Sequence, residues 1–257
     1  MTVTTGSIPE WLTVCSWVAI GLGLVCALVL AVDITRHPQP MAVMNLVWPI
    51  CALFGSVIWV AAYVAWGRAA PRNASPSTST GDDTEMDMTT GRAPTPRPMA
   101  SSVFVGTSHC GAGCTLADLV VEWLLFAVPG IAVVGGLGWA FSDELFAGWV
   151  LAYVAALVIG IAFQYFAIAP MNSDRGRLPN LRAAARADIL SLTAWQVGMY
   201  GAMAIAQLVV FPAWLGGPVA IDTAVFWAVM QLAMLAGFVT AFPVNWWLIS
   251  TGVKERM

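Results

Sequence analysis

Six long stretches of this chain carry no charged residue: 11–32, 41–67, 123–142, 145–173, 189–221 and 223–253. Each reaches the ~20 residues that a helix rising ~1.5 Å per residue needs to cross ~30 Å of hydrocarbon. The runs are continuously apolar rather than alternating. That excludes a closed barrel of short strands and leaves helices to satisfy the backbone polar groups. The pattern predicts an all-α integral membrane protein of six transmembrane helices. Tryptophans near the run ends, Trp11, Trp66, Trp123, Trp149, Trp246 and Trp247, read as interfacial anchors.

Between the second and third runs, residues 71–104 change character, with many Pro, Ser, Thr and Gly and few large apolar groups. Such a segment cannot offset its own ordering entropy and is expected to be a disordered cytoplasmic linker. It divides the chain into a two-helix hairpin, residues 1–70, and a four-helix transmembrane domain, residues 105–257. Met86 and Met88 in the linker are soft donors, more often inert in a polar tract. The loop over 175–186 is either a short interfacial helix, with Asp188 capping the next span, or an ordinary solvated loop.

Composition agrees with a membrane protein and narrows its partners. Of 257 residues 59% are apolar and only 10% charged, too few to face water all round, so the lipid bilayer is the expected partner. A net charge of -3 with no basic cluster excludes nucleic acid as a partner. Six crossings would put both termini on one side, together with the linker, the 175–186 loop and the C-terminal tail. Ten of the eleven cations then share that side and only Arg36 opposes them, which predicts cytoplasmic termini. The first run is long and lacks a cationic leader, so it is expected to be an uncleaved span.

The densest chemistry lies at Gly106-Thr107-Ser108-His109-Cys110-Gly111-Ala112-Gly113-Cys114-Thr115, followed by Asp118 and Glu122. Thr115 with Asp118 resembles a capping-box start, so the third helix is expected to begin near Thr115, with His109, Cys110 and Cys114 in a glycine-rich loop before it. Two thiols and an imidazole at a helix N-terminus suit a soft metal, Cu(I) or Zn(II), or Fe(II), with Asp118 as a fourth ligand or a helix cap. The C-x-x-x-C spacing and a reducing cytoplasm argue against a stable disulfide. Glu122 is either a proton or ion relay or an interfacial carboxylate. Cys15, Cys26 and Cys51 read as packing.

Polar and thioether positions recur deeper in the spans. Gln164, Gln196, Met199, Tyr200, Met203 and Gln207 on one side, and Met230, Gln231 and Met234 on the other, form either a soft-metal pathway or packing with interhelical hydrogen bonds. Pro129-Gly130 and Phe242-Pro243 predict bends in their helices. No G-x-x-x-x-G-K-[ST] segment occurs, so any transport is passive or coupled to an ion gradient. Enzyme chemistry has little support in the pattern.

The C-terminal unit resembles a bacterial family of multi-pass membrane proteins known as domain of unknown function 4396. The likeness rests on residues 108–114, 160–171, 193–200 and 243–249. It implies a four-helix membrane domain and brings no reaction, substrate or site with it. The expectation is a plasma-membrane protein that binds a soft transition metal, copper or zinc, through a cytoplasmic His/Cys/Cys loop, translocation being the further step. The alternatives are a membrane thiol redox protein and a structural or assembly subunit without transport activity.

Overall fold

The computed structural model describes residues 8–39, 41–69, 98–168 and 177–254. Among these the fold is all-α with no strand: α1 (Glu10–Arg36), α2 (Met44–Ala62, prolonged by a π turn Tyr63–Gly67), α3 (Met99–Ala127), α4 (Glu144–Ile168), α5 (Arg177–Ala204), α6 (Phe211–Leu215) and α7 (Ala224–Ser250). Six helical segments are long and apolar enough to cross a membrane, as the hydrophobic pattern requires. The hairpin of α1 and α2 packs against α3 and α7 of the four-helix unit.

One of the six does not run straight. Within α2, Ser56 has φ 45° and ψ -125°, a left-handed conformation that breaks the helix. The two limbs, 44–55 and 57–67, then lie side by side: Trp48 packs edge-on against Tyr63 at 5.4 Å and Phe54 against Trp59 at 4.8 Å. In a straight helix Trp48 and Tyr63 would stand ~22 Å apart. Gly55 makes the turn possible, because a Cβ there would collide with the Trp59 ring. Non-helical backbone at membrane depth must be covered and hydrogen-bonded by protein. Leu53 O at the tip accepts from Gln231 Nε2 at 2.6 Å, and both limbs clasp Ser108 of α3, through Cys51 Sγ to its carbonyl and Trp59 Nε1 to its hydroxyl.

Doubling back reverses part of the expected topology. Arg68, after the second limb, reaches Asp33 near the end of α1 with Nη2 at 2.8 Å from Oδ1, and Tyr63 donates to the same carboxylate at 2.8 Å. Trp66 meets Phe104 early in α3 at 5.4 Å. The start of α1 lies at the other end of the bundle, where Trp11 meets Trp214 at 5.9 Å. Five segments run the length of the bundle and α2 enters halfway, so Glu10 and Lys254 lie at opposite ends. Among the described residues Glu10 and Lys254 therefore do not share a side, contrary to the expectation for the two ends of the chain, and Arg36 lies at the same end as Arg68 and Lys254.

The third helix also lies elsewhere than expected. It starts at Met99, inside the span assigned to the linker, and ends at Ala127; residues 71–97 of that linker lie outside those described. The glycine-rich stretch is therefore mid-helix rather than a loop, and Pro129-Gly130 opens the 3-10 turn after the helix rather than bending it. Small residues explain this. Ser101, Ser102, Gly106, Gly111, Ala112 and Gly113 let α3 sit at the centre of the bundle, with the Gly113 Cβ position only 3.2 Å from Gly160 Cα of α4. α5 begins at Arg177, merging the short interfacial helix with the span, so Asp188 is a buried mid-helix residue rather than a cap. α7 runs through Pro243 as one helix.

Reporters fused before Glu10 and after the last residue are expected on opposite faces of the membrane; the same face for both would refute the doubled-back α2. Gly55→Leu, which drives a side chain into Trp59, is expected to lower the thermal unfolding midpoint in detergent, whereas the same change at Gly21, with open space around it, leaves it unchanged.

Candidate functional site

The end of the bundle where α3, α5 and α7 meet holds a polar cluster built by these three helices. After α7, Gly252 adopts φ 74° and the amides of Val253 and Lys254 return to Leu248 O at 3.0 and 3.1 Å. This C-terminal turn folds the Lys254 side chain back into the bundle, where it is fully buried. Its ammonium donates to Asn245 Oδ1 at 2.9 Å, Gly106 O at 3.2 Å and Cys110 Sγ at 3.2 Å, and pairs with Asp188 Oδ1 at 3.5 Å. The Cys110 thiol donates to Asp188 Oδ1 at 2.9 Å and meets Ser191 Oγ at the same distance. Asn245 Nδ2 donates to Ser191 Oγ at 2.7 Å, closing the network.

Every group around the Lys254 ammonium is an acceptor: a sulfur, a carboxylate, an amide oxygen and a backbone carbonyl. Burial works against its charge, but Cys110 and Asp188 beside it more than offset this and hold its pKa above the ordinary lysine value. α3 supplies Gly106 and Cys110, α5 supplies Asp188 and Ser191, and α7 with its final turn supplies Asn245 and Lys254. The close approach needs small residues, since a Cβ on Gly160 would come within 2.9 Å of Asp188 Oδ2.

Of the expected ligands, only Cys110 belongs to this cluster. His109 is fully buried on α3, about 100° around the helix from Cys110, with its ring edge-on to Phe163 of α4 at 6.1 Å and neither nitrogen hydrogen-bonded. Cys110, Cys114, Asp118 and Glu122 follow at successive turns and form one stripe along α3, about 18 Å long. Cys114 and Asp118 are buried and Glu122 is half-buried. Thr115 donates back to Gly111 O and contacts Met234 Sδ at 3.7 Å, so it is not a helix cap. Among the described residues no group of three or more His, Cys, Asp and Glu is placed to hold a metal ion. The three-ligand loop is thus not assembled: its backbone is helical and His109 turns away.

The deeper polar positions separate into kinds. Gln207 brackets Val219, donating to its carbonyl and accepting from its amide, and Gln231 holds the α2 tip. Tyr200 stacks on Trp149 and donates to its carbonyl. Gln164 and Gln196 are buried without hydrogen-bond partners. Met199 and Met203 are buried in the core, while Met230 and Met234 share with Asp118 the wall of a cavity at the end away from Lys254. Lys254, Asp188, Ser191 and Asn245 were not anticipated as a site. The available signal was a lone lysine just past the last span, with Asn245 inside that apolar run.

Residues 101–254 match the family described as Domain of unknown function (DUF4396), and the chain belongs to that family. The matched segment contains all six residues of the Lys254 cluster and excludes α1 and α2. No curated protein and no solved structure matches the chain.

Lys254→Met leaves the Asp188 carboxylate buried without a counter-charge and is expected to cost ~3–5 kcal/mol of stability, while adding Asp188→Asn restores most of it. Unfolding midpoints of the two single variants and the double variant in detergent measure the coupling; purely additive losses would show that the pair does not act as a unit.

Proposed function

We propose that this chain is a membrane cation-binding protein whose cargo is a soft monovalent metal ion, Cu(I). The cargo replaces the Lys254 ammonium in its cradle and passes along the stripe on α3. The all-acceptor surroundings of Lys254 carry this reading. A cradle that accepts one tethered positive charge leaves, when the lysine withdraws, a single negative charge from Asp188. One monovalent ion restores neutrality, the Cys110 proton passing to Asp188 as the thiolate takes the metal. Cys110 gives the cradle a sulfur donor and Cys114 places a second thiol one turn further along, which favours a soft ion over alkali cations. Zn(II) fits less well, because it brings a second charge and asks for four converging ligands. The chain has no phosphate-binding loop, so passage would run down a gradient or be coupled to one.

Orientation enters the same reading. With α2 doubled back, Arg36, Arg68, Arg182, Arg186 and Lys254 share one end of the bundle, and the remaining cations belong to segments whose described flanks lie there. The positive-inside rule assigns that end to the cytoplasm and the start of α1 to the opposite face of the plasma membrane. Thiol exchange is disfavoured, because Cys110 and Cys114 have no exposed surface for an attacking partner. A structural subunit is the second reading, favoured by the way Lys254 latches the chain end beyond α7 onto α3.

Elemental mass spectrometry after Cu(I) loading of detergent-purified protein under reducing conditions separates the two. Lys254→Ala is expected to retain more copper than the parent chain, and adding Cys110→Ser to remove the excess. Equal copper in all three would overturn the metal reading and leave Lys254 as a latch.

A further inference from the structure

A cavity of about 420 Å³ lies beneath the α2 tip, on the side away from Lys254. It exists because α2 turns back halfway and leaves the rest of its column unfilled, between α1, α3 and α7. Phe54 and Leu53 form its roof, and Trp17, Trp123 and Trp227 contribute aromatic walls, the last two stacked at 5.9 Å with planes 10° apart. Asp118 lines it with 1% exposure, and its Oδ2 has no hydrogen-bond partner. Asp222 also lines it, and among the described residues no Lys, Arg or His does.

We infer that this cavity is a binding site for an amphipathic organic cation, an ammonium or phosphonium centre carrying apolar groups, with Asp118 as its counter-ion. Three features select that chemistry. A carboxyl in an apolar wall is neutral unless a cation joins it, so a cation entering here meets a group that becomes its counter-ion. Tryptophan faces attract cations that are poorly hydrated, and do so more strongly away from water. The volume falls in the range of small-molecule sites, ~300–1,000 Å³, whereas a bare metal ion would leave nearly all of it empty. An acyl chain fills the space but offers Asp118 no charge to pair with. Gln231, which donates to Leu53 O at the roof, ties the site to the α2 tip. The inference shares Asp118 with the stripe of the metal reading but does not rest on the cradle, which lies at the other end of that stripe.

Isothermal titration of the full chain in detergent with tetraphenylphosphonium tests it, with triphenylphosphine oxide as a neutral analogue of similar shape. One equivalent of the cation is expected to bind at least tenfold more tightly than the neutral compound. Asp118→Asn should lose that difference, Asp118→Glu should keep it, and Cys110→Ser should not change it. Equal affinity for the cation and the neutral analogue in the unaltered chain would overturn the proposal and make the cavity a plain apolar groove, and this comparison needs no variant to fold. Undiminished cation binding by Asp118→Asn would overturn it as well.

Discussion

A single ammonium held away from water, that of Lys254, organises the end of the bundle where α3, α5 and α7 meet. In hydrocarbon such a charge is tolerated only if its surroundings supply both a counter-charge and hydrogen-bond acceptors, and here Asp188, Cys110, Asn245 and Gly106 O do so. That requirement fixes much else. The acceptors come from separate helices, so α3 and α5 must approach closely, and the glycines and serines of α3 permit it. The turn at Gly252 must send the side chain inward. Removing the lysine would leave a buried carboxylate without its counter-charge, so the last described residue of the chain bears on the stability of this end of the bundle.

The same intolerance of unsatisfied polar groups shapes α2. A helix broken at mid-membrane frees carbonyls near its tip, and the answer is a side chain from α7, Gln231, with Ser108 of α3 clasped by both limbs. The hairpin is therefore tied to the family domain at two depths. Because it reaches only halfway, it covers the Lys254 half of α3 and leaves the other half facing a cavity. The α3 stripe of Cys110, Cys114 and Asp118 joins the two, one end in a neutralised cradle and the other at an unpaired carboxylate.

How much of this was legible in the sequence follows from which physical rule each feature obeys. Spans α1, α4, α5 and α7 are simple apolar runs, and length alone locates them. The third run misled because residues 123–142 lack charge, whereas the true helix, Met99–Ala127, contains His109, Asp118 and Glu122 and reads as polar loop. A helix surrounded by other helices answers to packing rather than to lipid, so small and polar residues suit it. Gly55-Ser56 gives too weak a local signal to announce a turn inside an apolar run long enough to span. The lone cation on the wrong side, Arg36, was the clue, since doubling α2 back removes the anomaly. Lys254 and Asp188 looked like boundary residues because only the tertiary fold brings a tail and a helix start together.

With α2 doubled back, the described cations gather at one end, where Asp33 and Asp188 pair with Arg68 and Lys254. Glu10, Asp118, Glu122, Asp143, Glu144 and Asp222 belong to the half away from Lys254, where the described residues include no Lys, Arg or His. Arg36, Arg68, Arg182, Arg186 and Lys254 lie at the opposite end. A field of this sign draws cations toward the cavity and raises their local concentration there, most effectively at low ionic strength. In the reading proposed above, a cation entering the Lys254 cradle would have to displace the ammonium, because two positive charges cannot share a site whose acceptors carry only one negative charge. A uniform polar pore would not impose that one-at-a-time rule; a tethered cation set against a single carboxylate would.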